Sequence, residues 1–288
     1  MSVHPAIAAN HLAVITGGAS GIGLAAATAY ASKFGMNVAI GDIVPDAELQ
    51  RAVAAVQSEA KQGSKVFGHN VDVGDRKSVE AFSKEVQTAF PSSPLTVLMS
   101  NAGVGGPTKA SDWAGWERIL HVNMYGVINS VQTFLPQIKT HKQPSLIINT
   151  GSKQGITTPP GTGPAYNASK AVVKVFTEQL AAEMRGDATT KVIEPKLLIP
   201  GWVFTGLTGA KDGKAKPDGA WSAEQTVDYM FDQIKKGSFY ILCPDNETPK
   251  ETDLKRMEWN VNDVLQDRPP LSRWHPDHSD AFNDFMKK

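Results

Sequence analysis

The sequence HLAVITGGASGIGLAAATAYA, residues 11–31, decides the fold of this chain. Residues 11–16 form a short apolar run, which breaks into a glycine-rich turn and continues as an alanine-rich segment. This order predicts a buried strand, a tight turn and a helix. Residues 36–41 (MNVAIG) predict a second buried strand that ends at Asp42. The two strands and the helix between them form a β-α-β unit.

The alternation of strands and helices continues along the chain. Further strands are predicted at residues 65–73, 95–99, 145–149, 192–199 and 239–242, and helices at residues 46–62, 75–90, 116–135 and 164–185. Pro136 is expected to end or kink the helix that begins at residue 116, and Ser222 with Gln225 could start another helix as a capping box. The predicted fold class is therefore α/β, a doubly wound parallel sheet of about seven strands with helices on both faces.

The length and composition favour one large domain. With 288 residues, 41% of them hydrophobic, the chain is long enough for a single α/β domain, and two small domains are the competing interpretation. We expect one dinucleotide-binding and catalytic domain over residues 1–288, with a core at about 10–245. Residues 246–288 then form a C-terminal extension with a predicted helix at 251–265, which could cover the pocket or a subunit interface. The polar loop 209–219 is either a plain surface loop or a mobile lid.

The charge balance and the cysteine content exclude several classes of protein. Lys plus Arg and Asp plus Glu number 29 each, so no net field attracts nucleic acid or an anionic membrane. The single cysteine, Cys243, excludes an internal disulfide framework and a multi-cysteine metal site, which fits a reducing compartment. Residues 1–10 show no secretory signal and no segment approaches ~20 apolar residues. We expect a cytoplasmic protein that binds a small molecule and no metal.

The glycine-rich turn predicts a dinucleotide site. Gly17, Gly21 and Gly23 form the pattern G-x-x-x-G-x-G between a strand and a helix. Gly17 permits a tight turn, while Gly21 and Gly23 let the backbone and the helix N-terminus approach a pyrophosphate. A glycine pattern alone is more often an ordinary turn. Here the strand before it, the helix after it and an acidic residue 19 positions beyond Gly23 favour the nucleotide interpretation.

That acidic residue, Asp42, predicts NAD over NADP. A carboxylate at the end of the second strand can accept hydrogen bonds from the adenosine ribose hydroxyls and would repel a 2′-phosphate. Neither Gly18 nor Ile43 supplies the Arg or Lys that would pair with such a phosphate. The alternative is that Asp42 merely caps the next turn.

Tyr166 and Lys170 lie four residues apart in a segment predicted to be helical, which places both on one helix face. A tyrosine hydroxyl keeps its proton up to a pKa of about 10, so proton transfer near neutral pH needs a nearby positive charge. Lys170 can supply that charge. The alternative is a packed tyrosine beside a solvated lysine.

With these residues and several others in order, residues 10–245 resemble the short-chain dehydrogenase/reductase family. The matching motifs are Thr16-Gly17-Gly18-Ala19-Ser20-Gly21-Ile22-Gly23, Asp72-Val73, Asn101-Ala102-Gly103, Asn123, Ser152, Tyr166-x-x-x-Lys170 and Pro200-Gly201. The resemblance implies a single-domain Rossmann fold, a homodimer or homotetramer, and hydride transfer between nicotinamide C4 and a carbonyl or alcohol carbon.

The resemblance implies a role for four catalytic residues. Tyr166 is expected to be the general acid and base, and Lys170 to lower its pKa and bind the nicotinamide ribose. Ser152 is expected to polarise the same substrate oxygen, and Asn123 to hold a water that links Lys170 to solvent. Each could instead be structural, since a serine after a strand is usually a cap and a mid-helix asparagine usually faces water or a backbone carbonyl.

The remaining matches imply cofactor contacts along one path. Asp72 and Val73 are expected at the adenine, and Asn101 to Gly103 at the adenosine and ribose side. Pro200 to Val203 with Thr205 are expected at the nicotinamide. The full predicted cofactor set is Gly17, Ser20, Gly21, Ile22, Gly23, Asp42, Ile43, Asp72, Val73, Asn101, Ala102, Gly103, Tyr166, Lys170, Pro200, Gly201, Val203 and Thr205.

The resemblance implies a substrate pocket lined by the segments after Ser152 and after Gly201 and by the variable loop 209–219. By resemblance its wall consists of Gln154, Ile156, Pro159, Trp202 and Phe204. Such a wall is mostly apolar and aromatic, which favours a hydrophobic cyclic or aryl secondary alcohol or its ketone. Ser152 precedes Tyr166 by 14 residues, one more than the commoner spacing in the family, so we expect a bulge near residues 159–161. Lys153 could anchor an acidic substrate, although a loop lysine is more often solvated.

The sequence thus predicts an NAD-dependent short-chain alcohol dehydrogenase or carbonyl reductase. Two alternatives stay open: a catalytically silent NAD-binding sensor or scaffold, and imine reduction or a redox cyclisation at the same site.

Overall fold

The computed structural model describes residues 3–210 and 213–287, and in this part of the chain one parallel sheet of seven strands forms the centre. The strands are β1 (Leu12–Thr16), β2 (Asn37–Asp42), β3 (Val66–Asn70), β4 (Leu95–Ser100), β5 (Ser145–Thr150), β6 (Ile193–Ile199) and β7 (Tyr240–Leu242). They lie in the order β3-β2-β1-β4-β5-β6-β7, and all six neighbouring pairs are parallel. The strand order reverses between β1 and β4, where an open α/β sheet leaves a crevice for a ligand.

Ten α-helices connect or follow the strands in the described ranges. They are α1 (Gly21–Phe34), α2 (Asp46–Glu59), α3 (Arg76–Ala89), α4 (Trp113–Leu120), α5 (Gly126–Thr140), α6 (Gln154–Thr157), α7 (Pro164–Gly186), α8 (Ala223–Lys235), α9 (Lys250–Leu265) and α10 (Ser279–Lys287). A π-helical segment, His121–Tyr125, joins α4 to α5. No described helix is long and apolar enough to cross a membrane.

Two apolar layers cover the two faces of the sheet. One packs α1, α2 and α8 against the sheet, and its members include Ala26, Val38 and Met230. The other packs α3, α5 and α7 against the opposite face, around Phe82 and Phe134. Both layers exclude water from strands that are buried on both sides, as all-parallel sheets require. The predicted doubly wound α/β fold is confirmed.

The strand predictions hold, including the one that contains a proline. Pro195 lies inside β6 opposite Ile147 of β5. Strand β7 begins to pair with β6 only at Leu197. Pro195, which has no N–H to donate, therefore lies outside the hydrogen bonds between β6 and β7. The capping box at Ser222 and Gln225 is also present at the start of α8.

Pro136 was expected to end or kink its helix; the end is wrong, and the kink stays a prediction. The helix begins at Trp113, continues through the π-helical segment, and runs past Pro136 to Thr140. Two contacts hold its last turn in place beyond the proline. Ile138 is buried in the core, and the ring of His141 hydrogen-bonds the carbonyl oxygen of Leu95 at 2.7 Å. These contacts stabilise the last turn although Pro136 cannot donate a helical hydrogen bond.

The C-terminal extension has its own buried polar centre. The Trp259 indole N–H donates to Ser272 Oγ at 2.8 Å, and Arg268 stacks over the Trp259 ring at 4.0 Å. Arg268 also pairs with Asp263 at 2.9 Å. The predicted helix over residues 251–265 is confirmed by α9. These side-chain contacts hold the chain that follows it in place. The loop 209–219 includes residues 211 and 212, which lie outside the described residues, and the lid stays a prediction.

Candidate active site

The glycine-rich turn closes tightly over β1 because its glycines permit contacts that a side chain would block. Gly17 has φ +66°, and a Cβ there would lie 2.6 Å from the backbone of Ala102. A Cβ at Gly23 would lie 2.1 Å from the carbonyl oxygen of Gly17. Gly21 also has a positive φ, +53°. The first turn of α1 therefore lies directly against the loop, with its backbone N–H groups free to face an anion.

Asp42 connects the end of β2 to this turn. Its Oδ2 accepts a hydrogen bond from the Ala19 amide at 2.9 Å, and its Oδ1 accepts one from the Ile43 amide at 2.8 Å. A carboxylate has about four acceptor positions, so it can still accept from a ribose hydroxyl. Asp42 thus caps the turn that follows β2, as the structural alternative predicted. It also lines the neighbouring cavity.

A cavity of about 570 Å³ lies at the carboxyl ends of the strands, beside the point where the strand order reverses. Its wall includes all but one of the predicted cofactor residues. They are Gly17, Ser20, Gly21, Ile22, Asp42, Ile43, Asp72, Val73, Asn101, Ala102, Gly103, Tyr166, Lys170, Pro200, Gly201, Val203 and Thr205. Gly23 is the exception, because it packs against the Gly17 carbonyl and Asn101 behind the turn.

Three of the four predicted catalytic residues meet in the same cavity. Ser152 follows β5, while Tyr166 and Lys170 lie one turn apart in α7. The Lys170 ammonium donates to the carbonyl oxygen of Thr150 at 2.8 Å and lies 5.8 Å from the centre of the Tyr166 ring. Both Tyr166 and Lys170 therefore border one space large enough for a small molecule.

Burial changes the acidity of both groups. Burial raises the pKa of Tyr166, and a hydrogen bond with Ser152 offsets part of that rise. Burial lowers the pKa of Lys170 to about 8. Lys170 thus keeps its positive charge at neutral pH, beside a phenol that needs such a charge in order to release its proton.

Asn123 lies behind the cavity wall, in the π-helical segment. Its side chain hydrogen-bonds both the amide and the carbonyl of Val104, at 2.8 and 2.9 Å, and also Ser169 Oγ at 3.1 Å. A Cβ placed at Gly103 would lie 3.4 Å from Asn123 Oδ1 and 3.6 Å from Lys170 Nζ. Asn123 therefore fixes the loop after β4 and lies close to Lys170. π-Helical turns of this kind are frequent at functional sites.

The five residues predicted for the substrate wall lie outside the lining of this cavity. Among the described residues that line this cavity, none is Gln154, Ile156, Pro159, Trp202 or Phe204. Ile156 packs into the core, Trp202 is 39% exposed, and Phe204 lines a second cavity on the α1 and α8 side. The prediction counted residues along the chain after Ser152 and Gly201, and for these five residues the substrate wall stays a prediction.

The loop between Ser152 and Tyr166 is irregular, as its length predicted. Helix α6 is a single turn, Thr158 adopts the left-handed conformation with φ +41°, and Gly161 has φ +82°. The Thr162 hydroxyl donates to the carbonyl oxygen of Pro159 at 2.6 Å. These turns take up the extra residue between Ser152 and Tyr166.

Other residues form the apolar wall instead. Val104, Val122 and Leu207 line the cavity, together with Arg118 and Thr208. Leu207 lies in a short 3₁₀ turn and is half exposed, and Arg118 donates to the carbonyl oxygen of Gly105 at 3.0 Å. No local sequence pattern singled out these residues, because only the fold brings their loops together.

Comparison with known proteins decides the family. The sequence model of the family described as short chain dehydrogenase matches residues 11–215. This chain belongs to the short-chain dehydrogenase family. An uncharacterized short-chain type dehydrogenase/reductase of Sinorhizobium fredii is 37% identical over 207 residues, which cover 69% of this chain and 76% of the relative.

Two solved dehydrogenase structures share the fold. A short chain dehydrogenase/reductase from Burkholderia phymatum, in complex with NAD, superposes with a TM-score of 0.77 at 28% identity, covering 90% of this chain and 96% of that one. An alcohol dehydrogenase from Thermococcus sibiricus, complexed with 5-hydroxy-NADP, gives a TM-score of 0.68 at 28% identity, covering 78% and 90%. The short-chain dehydrogenase family binds nicotinamide cofactors, and this chain is an oxidoreductase of that family.

Proposed function

We propose that this short-chain dehydrogenase transfers a hydride between NAD and a hydrophobic secondary alcohol or its ketone, with a cyclic or aryl substrate. The observation that carries the proposal is that Tyr166, Ser152 and Lys170 line the same cavity as the glycine turn and Asp42. A cofactor pocket and a proton-transfer group that share one space can act on one substrate.

The residues present fit a dinucleotide. Gly17 and Gly21 both line the cavity beside the N-terminus of α1, and a Cβ at either position would meet a neighbouring residue, so both leave their backbone open to a pyrophosphate. Asp42 offers carboxylate oxygens where the adenosine ribose would lie. When bound, NAD supplies the hydride acceptor, C4 of its nicotinamide. Pro200, Gly201, Val203 and Thr205 flank that end of the cavity.

Asp42 supports NAD over NADP. The two cations among the described lining residues are Lys170 and Arg118. They are hydrogen-bonded to Thr150 of β5 and to Gly105 after β4, whereas Asp42 ends β2, beyond β1 in the sheet. A 2′-phosphate near Asp42 would therefore meet a carboxylate and the apolar side chain of Ile43.

The proton moves through Tyr166. In alcohol oxidation, the Tyr166 phenolate accepts the hydroxyl proton, and in ketone reduction the phenol returns it. Ser152 hydrogen-bonds the same substrate oxygen and stabilises the charge that develops on it. The Lys170 charge lowers the cost of the phenolate. Asn123 holds the loop that carries Val104 and keeps the Lys170 side of the site in place.

The substrate wall supports an apolar substrate. Val104, Val122 and Leu207 give the cavity an apolar surface next to Ser152 and Tyr166. A hydroxyl or carbonyl group can then face the polar pair while a ring contacts the aliphatic side chains. Small polyols would leave their extra hydroxyls without partners against this wall.

We also propose a homo-oligomer, dimer or tetramer, in a reducing compartment such as the cytoplasm. Val172 and Val175 are exposed on α7, which supports a contact between copies. Cys243 is a buried free thiol whose pKa burial raises to about 12, so it is an unreactive structural thiol. Light scattering of the purified protein measures the oligomeric state, and a monomer would contradict this part of the proposal.

The test of the reaction is absorbance at 340 nm with NAD or NADP and a panel of alcohols. Cyclohexanol, 1-phenylethanol and indanol are expected to be oxidised with NAD far faster than glycerol or sorbitol. Faster turnover of polyols would overturn the apolar substrate, and faster turnover with NADP would overturn the cofactor.

A further inference from the structure

The lysine next to Ser152 is paired inside the protein instead of facing substrate. Lys153 is only 14% exposed at its side chain. Its ammonium lies 3.1 Å from Asp245 Oδ2 and 2.5 Å from Asp253 Oδ2. Asp245 follows β7, and Asp253 lies in the first turn of α9. One cation thus connects the chain after β5 to two parts of the C-terminal region.

Asp245 extends this cluster to the loop after β6. The same oxygen that pairs with Lys153 accepts the backbone amide of Trp202 at 3.1 Å. A Cβ at Gly201 would lie 2.6 Å from Asp245 Oδ2 and 2.7 Å from Lys153 Nζ. Gly201 itself lines the candidate active-site cavity. The ion cluster therefore lies directly behind the loop proposed to flank the nicotinamide.

A second contact ties α9 to the same segment. Asn260 Nδ2 donates to the carbonyl oxygen of Ile156 at 3.1 Å. Lys153 and Ile156 lie at the start and near the end of the short turn that follows Ser152. Helix α9 thus holds this turn at two points, by the ion pair of Asp253 with Lys153 and by the hydrogen bond from the Asn260 side chain to a backbone carbonyl.

The cluster places two acids, Asp245 and Asp253, among cations that also include Arg256 and Arg273. Asp253 faces Lys153, Asp245 and Arg256, and Arg256 Nη1 lies 3.9 Å from Asp253 Oδ1. Burial raises the pKa of Asp253, and the charges of Lys153 and Arg256 offset part of the rise. Removal of one carboxylate leaves Lys153 with a single partner, and buried groups that lose a charged partner tend to move.

We infer that Lys153, Asp245 and Asp253 are positioning residues, through which the C-terminal extension holds Ser152 and the Gly201 loop in their reactive arrangement. The inference concerns the placement of two segments, residues 151–157 and 200–205. Its consequence for turnover rests on the proposed function. A short-chain dehydrogenase core that depends on its extension in this way loses activity when α9 detaches, although the cofactor cradle at β1 and α1 is unaffected.

The test compares Asp253→Asn with Asp280→Asn in the full chain. Asp253→Asn keeps the size of the side chain and removes its charge, while Asp280 is an exposed acid in α10 of the same extension. Amide hydrogen exchange, measured by mass spectrometry without substrate, is expected to rise several-fold in residues 151–157 and 200–205 of Asp253→Asn. Residues 17–31 are expected to exchange as in the wild type, and Asp280→Asn to match the wild type throughout.

Kinetics then separate positioning from a general loss of stability. We expect Asp253→Asn to lower kcat by about ten-fold or more, with the Kd for NAD, measured by fluorescence, within two-fold of the wild type. Asp253→Glu, which keeps the charge, is expected to recover part of kcat. A lower Tm with unchanged kcat would mean that the cluster is only structural and would overturn the inference.

The exchange measurement keeps this inference distinct from the proposed reaction. If the wild type turns over no alcohol but Asp253→Asn raises exchange at residues 151–157, the proposed function fails and the positioning role stands. Unchanged exchange in folded Asp253→Asn would overturn the positioning role whatever the wild type catalyses. If Asp253→Asn does not fold, Asp245→Asn, which removes the other carboxylate that pairs with Lys153, is measured in the same way, and wild-type exchange together with wild-type kcat in that variant would overturn it.

Discussion

The carboxylate of Asp42 accepts a hydrogen bond from the backbone amide of Ala19, 23 residues earlier in the chain, at 2.9 Å. The acid proposed to select NAD therefore also holds the glycine-rich turn in place. Substitution of Asp42 alone would mix a change in cofactor preference with a change in the shape of the turn. The neighbouring residue offers a cleaner way to change the preference.

Ile43→Arg is expected to raise kcat/KM for NADP by about ten-fold or more, because an arginine beside the ribose can pair with a 2′-phosphate. Ile43 lines the cavity and is 64% exposed, so the longer side chain fits without repacking the core. Ile43→Gln adds similar length without charge and serves as the control. The two coenzymes are compared at 340 nm with one alcohol. Equal NADP kinetics in the arginine and glutamine variants would contradict the placement of the phosphate site.

The glycines of the turn are expected to differ sharply in their tolerance of alanine. Gly23→Ala places a Cβ 2.1 Å from the Gly17 carbonyl oxygen, so the start of α1 must shift and the Kd for NAD should rise by ten-fold or more. Gly186→Ala is the control, because nothing lies within 4 Å of a Cβ there and it ends α7. That control should be neutral or stabilising by up to about 1 kcal/mol. Fluorescence titration and thermal unfolding check both, and equal NAD affinity in the two variants would refute the prediction.

Lys170 is expected to cost stability at neutral pH. Its folded pKa of about 8 lies below the usual value of 10.5, so both states are protonated below pH 8 and burial of the charge opposes folding. Between pH 8 and 10.5 the unfolded chain binds more protons than the folded one. The free energy of unfolding should therefore rise with pH, relative to Lys170→Met, by up to about 3 kcal/mol.

The measurement is denaturant unfolding of both proteins between pH 7 and pH 10.5, in a Tyr166→Phe background that removes the titration of Tyr166. Only the difference in the free energy of unfolding between the two proteins is used, because the titration of all other groups cancels in that difference. A difference that stays constant across this range would show that Lys170 titrates at its ordinary pKa, and a difference that falls would reverse the sign of the burial effect.

The substrate wall gives a prediction that separates two neighbouring residues. Leu207→Ala is expected to raise KM for apolar alcohols several-fold, because Leu207 lines the cavity with Tyr166. Phe204→Ala should leave that KM within two-fold, since Phe204 faces the second cavity. Both variants are measured with NAD saturating. A larger rise in KM for Phe204→Ala than for Leu207→Ala would contradict this prediction and support the substrate wall expected from the sequence.

The fold, the glycine turn and the Tyr166–Lys170 pair could be predicted from local patterns, whereas Ser152, Asn123 and the other cofactor contacts were predicted from the family resemblance. Apolar runs marked all seven strands, and the glycine spacing before α1 located the cavity. Tyr166 and Lys170 needed only a helix to bring them together. Pro136 misled because the packing of Ile138, a tertiary contact, continues the helix past it.

The substrate wall and the ion cluster depend on loops that meet only in the folded chain. Leu207 and Val122 are more than 80 residues apart in sequence, and no local pattern joins them. Lys153 looked like an ordinary loop lysine, yet its partner Asp253 lies 100 residues later. Such contacts follow from the positions of α6, which was not predicted from the sequence, and of α9, which was predicted only as a helix of the C-terminal extension.

The most direct measurement of the central claim is the rate of NADH formation by Tyr166→Phe, at matched NAD occupancy, with the best alcohol of the panel. The account predicts a fall in kcat of roughly 10²-fold or more, the size expected for loss of a general acid and base. The Kd for NAD should stay within a few-fold, because Asp42 and the glycine turn are intact. Wild-type kcat in the phenylalanine variant would contradict the account, and NAD binding without turnover in either protein would favour a cofactor-binding sensor.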